Sequence, residues 1–223
     1  MCDDQGLIAR YQQEDPFAPM HKIVYKILRD DIISCRLAPG EKLKEEDHAA
    51  RFGISRTTVR HAFEALLYED WLEREGKQGL RVCSISTEDQ RELMELRQVL
   101  EPAASRLAAR NRTRQDLEDL AGFLACDTAS GDVSALYYAD IGFHRAIFDA
   151  SHNGHFVKTY RALDDELSRS KRFSSGEFLA FAEQVCAEHR AIFEAIRGGD
   201  ENRAQKLSQL HVKMMLDCGL LQK

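Results

Sequence analysis

Several things are scarce in this 223-residue chain, and each scarcity narrows the options. No apolar run approaches the roughly 20 residues that a bilayer crossing requires, so no membrane partner is expected. The opening residues, Met1-Cys-Asp-Asp-Gln, are polar and acidic. They do not read as a secretory leader, and a cytoplasmic protein is expected. The six cysteines (Cys2, Cys35, Cys83, Cys126, Cys186, Cys218) stand singly, without a Cys-x-x-Cys pair. Reduced, mostly buried thiols are expected, not a disulfide framework or a zinc ribbon. Basic charge is short as well: 31 Lys+Arg against 37 Asp+Glu leaves a net charge of −6, which argues against an indiscriminate nucleic-acid binder. A Gly-rich nucleotide loop and a His-Glu-x-x-His segment are both missing, which removes two common signatures of enzymatic chemistry.

Against these absences one octapeptide stands out, Gly53-Ile-Ser-Arg-Thr-Thr-Val-Arg60. Gly53 suits a helix C-cap and Ser55 the next N-cap, with apolar spacing resuming at Val59. The segment predicts a helix, a tight turn and a second helix whose first turn offers Arg56, Thr57, Thr58 and Arg60. Guanidinium and hydroxyl groups at a helix N-terminus suit phosphates and guanine edges, so double-stranded DNA is the expected partner. Residues 51–61 hold three arginines and no acid, although residues 1–82 as a whole carry 13 basic and 15 acidic side chains. The expected contact is therefore a small basic tip on an acidic body.

Around this tip, residues 1–19 show little periodicity and read as a flexible arm. Helical spacing runs from Met20 to about Cys35, from Lys44 to Phe52 and from Arg56 to Asp70. Trp71-Leu-Glu-Arg-Glu75 and Leu80-Arg-Val-Cys-Ser84 flank the turn Gly76-Lys77-Gln78-Gly79 and read as the two short strands of a β-hairpin. Three helices and a hairpin over residues 20–85 give the winged helix-turn-helix order, with Gly76 and Lys77 at the wing tip. From residue 86 to 223 everything reads as helix. Thr87-x-x-Gln90 predicts a capping-box start, Asp127–Asp132 a loop, and Gly198-Gly199 a stop. Six helices with short connections imply an antiparallel bundle, and the chain as a whole is expected to be mainly α.

Inside that helical half, Asp140 and His144 lie four residues apart and share a face with Leu136, Tyr137, Phe143 and Ile147. His189 and His211 each sit on an apolar stripe of another helix. Each alone reads more readily as a hydrogen-bonded core histidine. Together they are a candidate metal set, because buried polar groups are costly and one cation satisfies several. Three imidazoles and a carboxylate suit a divalent transition metal, zinc before nickel, iron or manganese. Arg97 and Glu101, also four apart on an inward face, read either as an intrahelical ion pair or as a clamp on a ligand carboxylate with Glu101 orienting Arg97. A metal-dependent hydrolase or oxygenase with a vestigial winged module is the alternative function.

The stretch from Val24 to Leu43 and the run Ile54-Ser-Arg-Thr-Thr-Val-Arg-His-Ala-Phe63 resemble the GntR family of bacterial transcription regulators. Leu96-Arg-Gln-Val-Leu-Glu-Pro102, Asp140-Ile-Gly-Phe-His144, Glu188-His189-Arg-Ala-Ile192 and the late His211 resemble that family's FadR-type ligand domain, the FCD domain, in its shorter, vanillate-regulator-like branch. The resemblance implies a homodimeric repressor that leaves a palindromic operator when a small carboxylate metabolite binds. It also implies DNA contacts from Ser55, Arg56, Thr57, Thr58 and Arg60, wing contacts from Gly76 and Lys77, metal ligands Asp140, His144, His189 and His211, and an effector-facing Arg97. Three positions depart from the pattern: Glu46 where a fatty-acid-responsive relative has a basic contact, Thr58 for the usual proline, and His61 for the usual acid.

Overall fold

The computed structural model describes residues 4–76, 79–124, 132–173 and 175–217. The chain divides into two compact units, residues 1–85 and 86–223. It is mainly α, with ten helices and one small sheet among the described residues.

The first unit is built on α2 (Met20–Ile33), α3 (Glu45–Phe52) and α4 (Arg56–Tyr68), with strands β1 (Lys42–Leu43), β2 (Leu72–Glu75) and β3 (Gly79–Val82). Ile23, Val24, Ile27 and Leu28 of α2 meet Val59, Phe63 and Leu66 of α4 in a fully buried core. The hairpin closes antiparallel with Leu72 opposite Val82 and Glu75 opposite Gly79. β1 adds to the other edge of β3 through Lys42–Arg81 and Leu43–Leu80, giving the order β1-β3-β2. A two-residue strand is too short to show alternation, which is why the sequence does not announce it.

The expected flexible arm is a correction. Residues Asp4–Glu14 form helix α1, and Tyr11 is buried against α2, donating to Asp30. Burial, then the neighbouring Asp30 carboxylate, pushes the Tyr11 phenol up to about 12. Leu7, Ile8 and Tyr11 supply the short apolar face that the periodicity search passed over.

The second unit holds six helices among the described residues: α5 (Thr87–Asn111), α6 (Arg114–Gly122), α7 (Val133–Ala150), α8 (Gly154–Phe173), α9 (Ser175–Gly198) and α10 (Glu201–Asp217). Helix α5 packs against α7, α8, α9 and α10 and so forms the spine of an antiparallel bundle. Its capping box sits one residue earlier than expected. Ser86 is the N-cap and Asp89 answers it, because the Asp89 carboxylate reaches both the Ser86 amide and hydroxyl. Most of the expected Asp127–Asp132 loop lies outside the described residues; Asp132 itself caps α7 by accepting from the Ala135 amide at 3.1 Å. Gly199 turns α9 into α10 with φ 73°, and a Cβ there would lie 2.7 Å from the Arg112 guanidinium. Cys35 and Cys83 are half-buried, and Cys186 is disulfide-bonded, which departs from the expectation of reduced thiols.

Gly142 of α7 serves a close approach. A Cβ there would stand 2.2 Å from Cε1 of Phe123, whose ring lies against the helix backbone. Gly142→Ala should therefore lower stability in urea unfolding, since displacing the ring outweighs the gain of about 1 kcal/mol in helix propensity. In a Phe123→Ala background the same substitution should stabilise instead. An unchanged sign in the two backgrounds would show that the ring contact does not control this position.

Candidate functional site

In the first unit, α3 ends on Gly53 in the left-handed conformation (φ 66°), a geometry that glycine adopts without a Cβ penalty. Two residues later Ser55 caps α4, accepting from the Thr58 amide at 3.2 Å. Ser55, Arg56, Thr57 and Arg60 are exposed. Thr58 is only half-exposed, and its hydroxyl lies 2.8 Å from the Ser55 hydroxyl, so it is less available than the spacing alone suggests. Arg60 donates from Nε and Nη2 to the two oxygens of Glu45, each at 2.8 Å. Arg56 Nη1 lies 2.9 Å from Glu46 Oε1. Gly76 turns the hairpin with φ 63°; Lys77 lies outside the described residues.

In the second unit, four helices contribute to one buried polar layer. Helix α5 supplies Arg97 and Glu101, α7 supplies Asp140 and His144, α9 supplies His189, and α10 supplies His211, all almost wholly buried. The three imidazoles offer nitrogen atoms that lie within 4.8 Å of one another. Asp140 Oδ1 is 3.7 Å from His144 Nε2 and 3.6 Å from His189 Nε2. Phe143 stacks on His189 with centroids 4.4 Å apart and fixes that ring from the apolar side.

Hydrogen bonds set the proton positions. Arg97 Nη2 is 3.2 Å from His144 Nε2; a guanidinium only donates, so His144 accepts at Nε2 and carries its proton on Nδ1. That Nδ1 is 3.1 Å from Glu101 Oε2, yet neither atom makes a well-aligned hydrogen bond. Glu101 also accepts from Arg97 Nε. Burial alone would raise the Glu101 carboxyl, but Arg97 and His144 hold it well below its ordinary value. His211 Nδ1 donates to Glu188 Oε2 at 2.7 Å. Burial keeps His211 below its ordinary value despite that carboxylate, so the ring is neutral and its Nε2 bears a lone pair. This lone pair faces His189 Nε2 at 3.3 Å. Two such nitrogens need a proton or a cation between them.

Residues 21–82 match the family of bacterial regulatory proteins named for gntR, and residues 92–214 match the FCD domain, more than half of the chain. The chain belongs to the GntR family. The "Probable D-xylose utilization operon transcriptional repressor" of Paenarthrobacter nicotinovorans is 30% identical over 83% of this chain and 82% of its own length. The HTH-type transcriptional repressor RspR of Escherichia coli (strain K12) is 27% identical over 90% and 89%. A solved structure from Rhodococcus sp. RHA1, described as a transcriptional regulator GntR, superposes with a TM-score of 0.73 at 26% identity, covering 87% of this chain and 94% of that one. Escherichia coli McbR/YncC shares the fold with the same TM-score of 0.73 at 20% identity.

As a GntR-type protein the chain is a transcription regulator and not an enzyme, so the alternative of a hydrolase or oxygenase falls. No helix among the described residues is long and apolar enough to cross a membrane. The structure brings His144, His189 and His211 together, with Asp140 beside two of them. Arg97 and Glu101 form the intrahelical ion pair that was one of their two readings, and the pair is buried against His144. Glu188 was missed as a partner of His211. It lies 23 positions away in sequence, and only the general tendency of buried functional imidazoles to lean on a carboxylate hinted at such a residue.

Removing one member of the buried pair should be costly. Arg97→Met leaves Glu101 without its main counter-charge, which should destabilise the fold by about 3–5 kcal/mol. Arg97→Met combined with Glu101→Met should recover most of that loss in chemical denaturation. A double variant no more stable than the single one would mean that the two charges are not energetically coupled.

Proposed function

We propose that this chain is a homodimeric, metabolite-responsive bacterial repressor. In this reading it binds double-stranded operator DNA through Ser55, Arg56, Thr57, Thr58 and Arg60, with Gly76 and Lys77 of the wing as auxiliary contacts. The helical unit holds a divalent transition metal through His144, His189, His211 and Asp140, and takes a small carboxylate effector beside Arg97 and Glu101. The observation that carries it is the convergence of three buried imidazoles from three helices on one point.

The donor set fits such an ion. The three imidazoles, whose nitrogens lie within 4.8 Å of one another, and the Asp140 carboxylate are donors that would suit a divalent transition metal, zinc among them. Glu188 would orient His211, and Phe143 would orient His189. A bound ion would supply a positive centre to which a carboxylate can attach. Arg97 would add a bidentate anchor, the effector taking over the place that His144 Nε2 now holds on Nη2.

Repression is supported by the relatives from Paenarthrobacter nicotinovorans and Escherichia coli, both named as repressors. Release would follow from linkage: an effector whose affinity differs between the DNA-bound and free protein shifts operator affinity by the same factor.

Two experiments test the two halves. Arg56→Ala with Arg60→Ala should weaken operator binding at least about tenfold in a shift assay at fixed salt, since a base contact contributes about 1–3 kcal/mol. Unchanged affinity would exclude this tip as the reading surface. Elemental analysis of protein purified without chelator should find about one transition-metal ion per chain, lost in His189→Ala and in His211→Ala along with several degrees of thermal stability. Wild-type protein that takes up no metal on reconstitution with zinc, nickel or manganese would exclude the metal.

A further inference from the structure

The DNA-facing tip has no surplus of positive charge. Arg51, which the sequence counts with its basic residues, is engaged elsewhere: its Nη1 lies 2.8 Å from the buried Asp31 carboxylate. That leaves Arg56 and Arg60 in the first turns of α4 against Glu45, Glu46 and Asp47 in the first turn of α3. The two arginines are held differently. Glu45 is largely covered (22% exposed) and grips Arg60 through two parallel bonds, which raises the Arg60 pKa and fixes the guanidinium plane. Nη1 of Arg60 remains for another partner. Glu46 is 61% exposed and Arg56 57%, joined by one contact of 2.9 Å. Such a pair is weak in water and readily exchanged.

A duplex phosphate approaching Arg56 must displace the Glu46 carboxylate to gain another anion, while Glu45 Oε2 stays 3.8 Å from Nη2. It also meets Glu46, which has no basic partner once Arg56 leaves. The exchange gains little for a contact that any DNA can offer, whereas acceptors on the base edges of the right sequence can still be read by Arg60 on its Glu45 support. We infer that Glu46 is a specificity-determining residue of the DNA interface, which holds Arg56 against unselective phosphate contacts. This inference rests on the reading of α4 as the DNA-binding tip.

The test uses the full-length protein and two probes, a short random-sequence duplex and a duplex selected from a random library by the wild-type protein. Glu46→Gln should bind the random duplex about three- to tenfold tighter at ~0.1 M salt, with the slope of log affinity against log salt steeper by about 0.9. Affinity for the selected duplex should change less, so the ratio between the two probes falls. Arg56→Gln in the Glu46→Gln background should abolish the gain. A Glu46→Gln protein with wild-type circular dichroism but unchanged random-duplex affinity and salt slope overturns the inference and leaves the DNA-binding reading standing. A wild-type protein from which no duplex can be selected overturns both.

Discussion

A layer of charge and imidazole through the centre of the helical unit is the constraint around which that unit is organised. Met94, Leu136, Tyr137, Val185 and Val212 lie in one apolar cluster, and Ala104, Phe143, Ile147, Ile192 and Ala204 in another. Along α5, α7, α9 and α10, the polar residues Arg97, Glu101, Asp140, His144, His189 and His211 sit between or beside members of those clusters in sequence. Taking such groups out of water costs several kcal/mol for each unpaired charge, so each must find its partner within the layer. Arg97 satisfies Glu101, Glu188 satisfies one side of His211, and Phe143 holds His189. Helix register throughout the unit is tied to this arrangement, because a shift of one residue on any helix would bury a charge opposite hydrocarbon.

In the proposed function the same layer would link stability to ligand. A layer whose imidazole lone pairs and carboxylate oxygens are incompletely matched is stabilised by anything that completes it, in proportion to the logarithm of ligand concentration over its dissociation constant. A core of leucine and phenylalanine in the same place would be more stable but would offer no polar group to a ligand.

The DNA-facing unit follows a different economy. Its core is mainly apolar, although Asp31 and His48 are buried in the same unit, and its exposed tip is arranged by short-range devices: a left-handed glycine, a serine cap and two acid–arginine pairs. These devices act within one helical turn of each other in sequence or across a single helix–helix contact. Most of this unit was accordingly readable beforehand, including the turn at Gly53, the cap at Ser55 and the hairpin around Gly76. What escaped were elements with too few residues to show a period, β1 and helix α1, and the pairing of Arg56 and Arg60 with acids that are 10 and 15 positions away.

Local patterning, by itself, determined the order of most elements, the two-unit division and the inward faces that carry Asp140, His144, His189 and His211, because apolar periodicity and capping chemistry act over a few residues; the family was legible only as a resemblance of motifs. Whether those three inward faces look at one another depends on how α7, α9 and α10 pack around α5, which is a long-range property with no period to read. Only the tertiary structure decided that the three imidazoles converge, that Glu188 supports His211, that Arg97 bonds to His144 as well as Glu101, and that Arg51 is bound to Asp31 and so does not add to the basic tip.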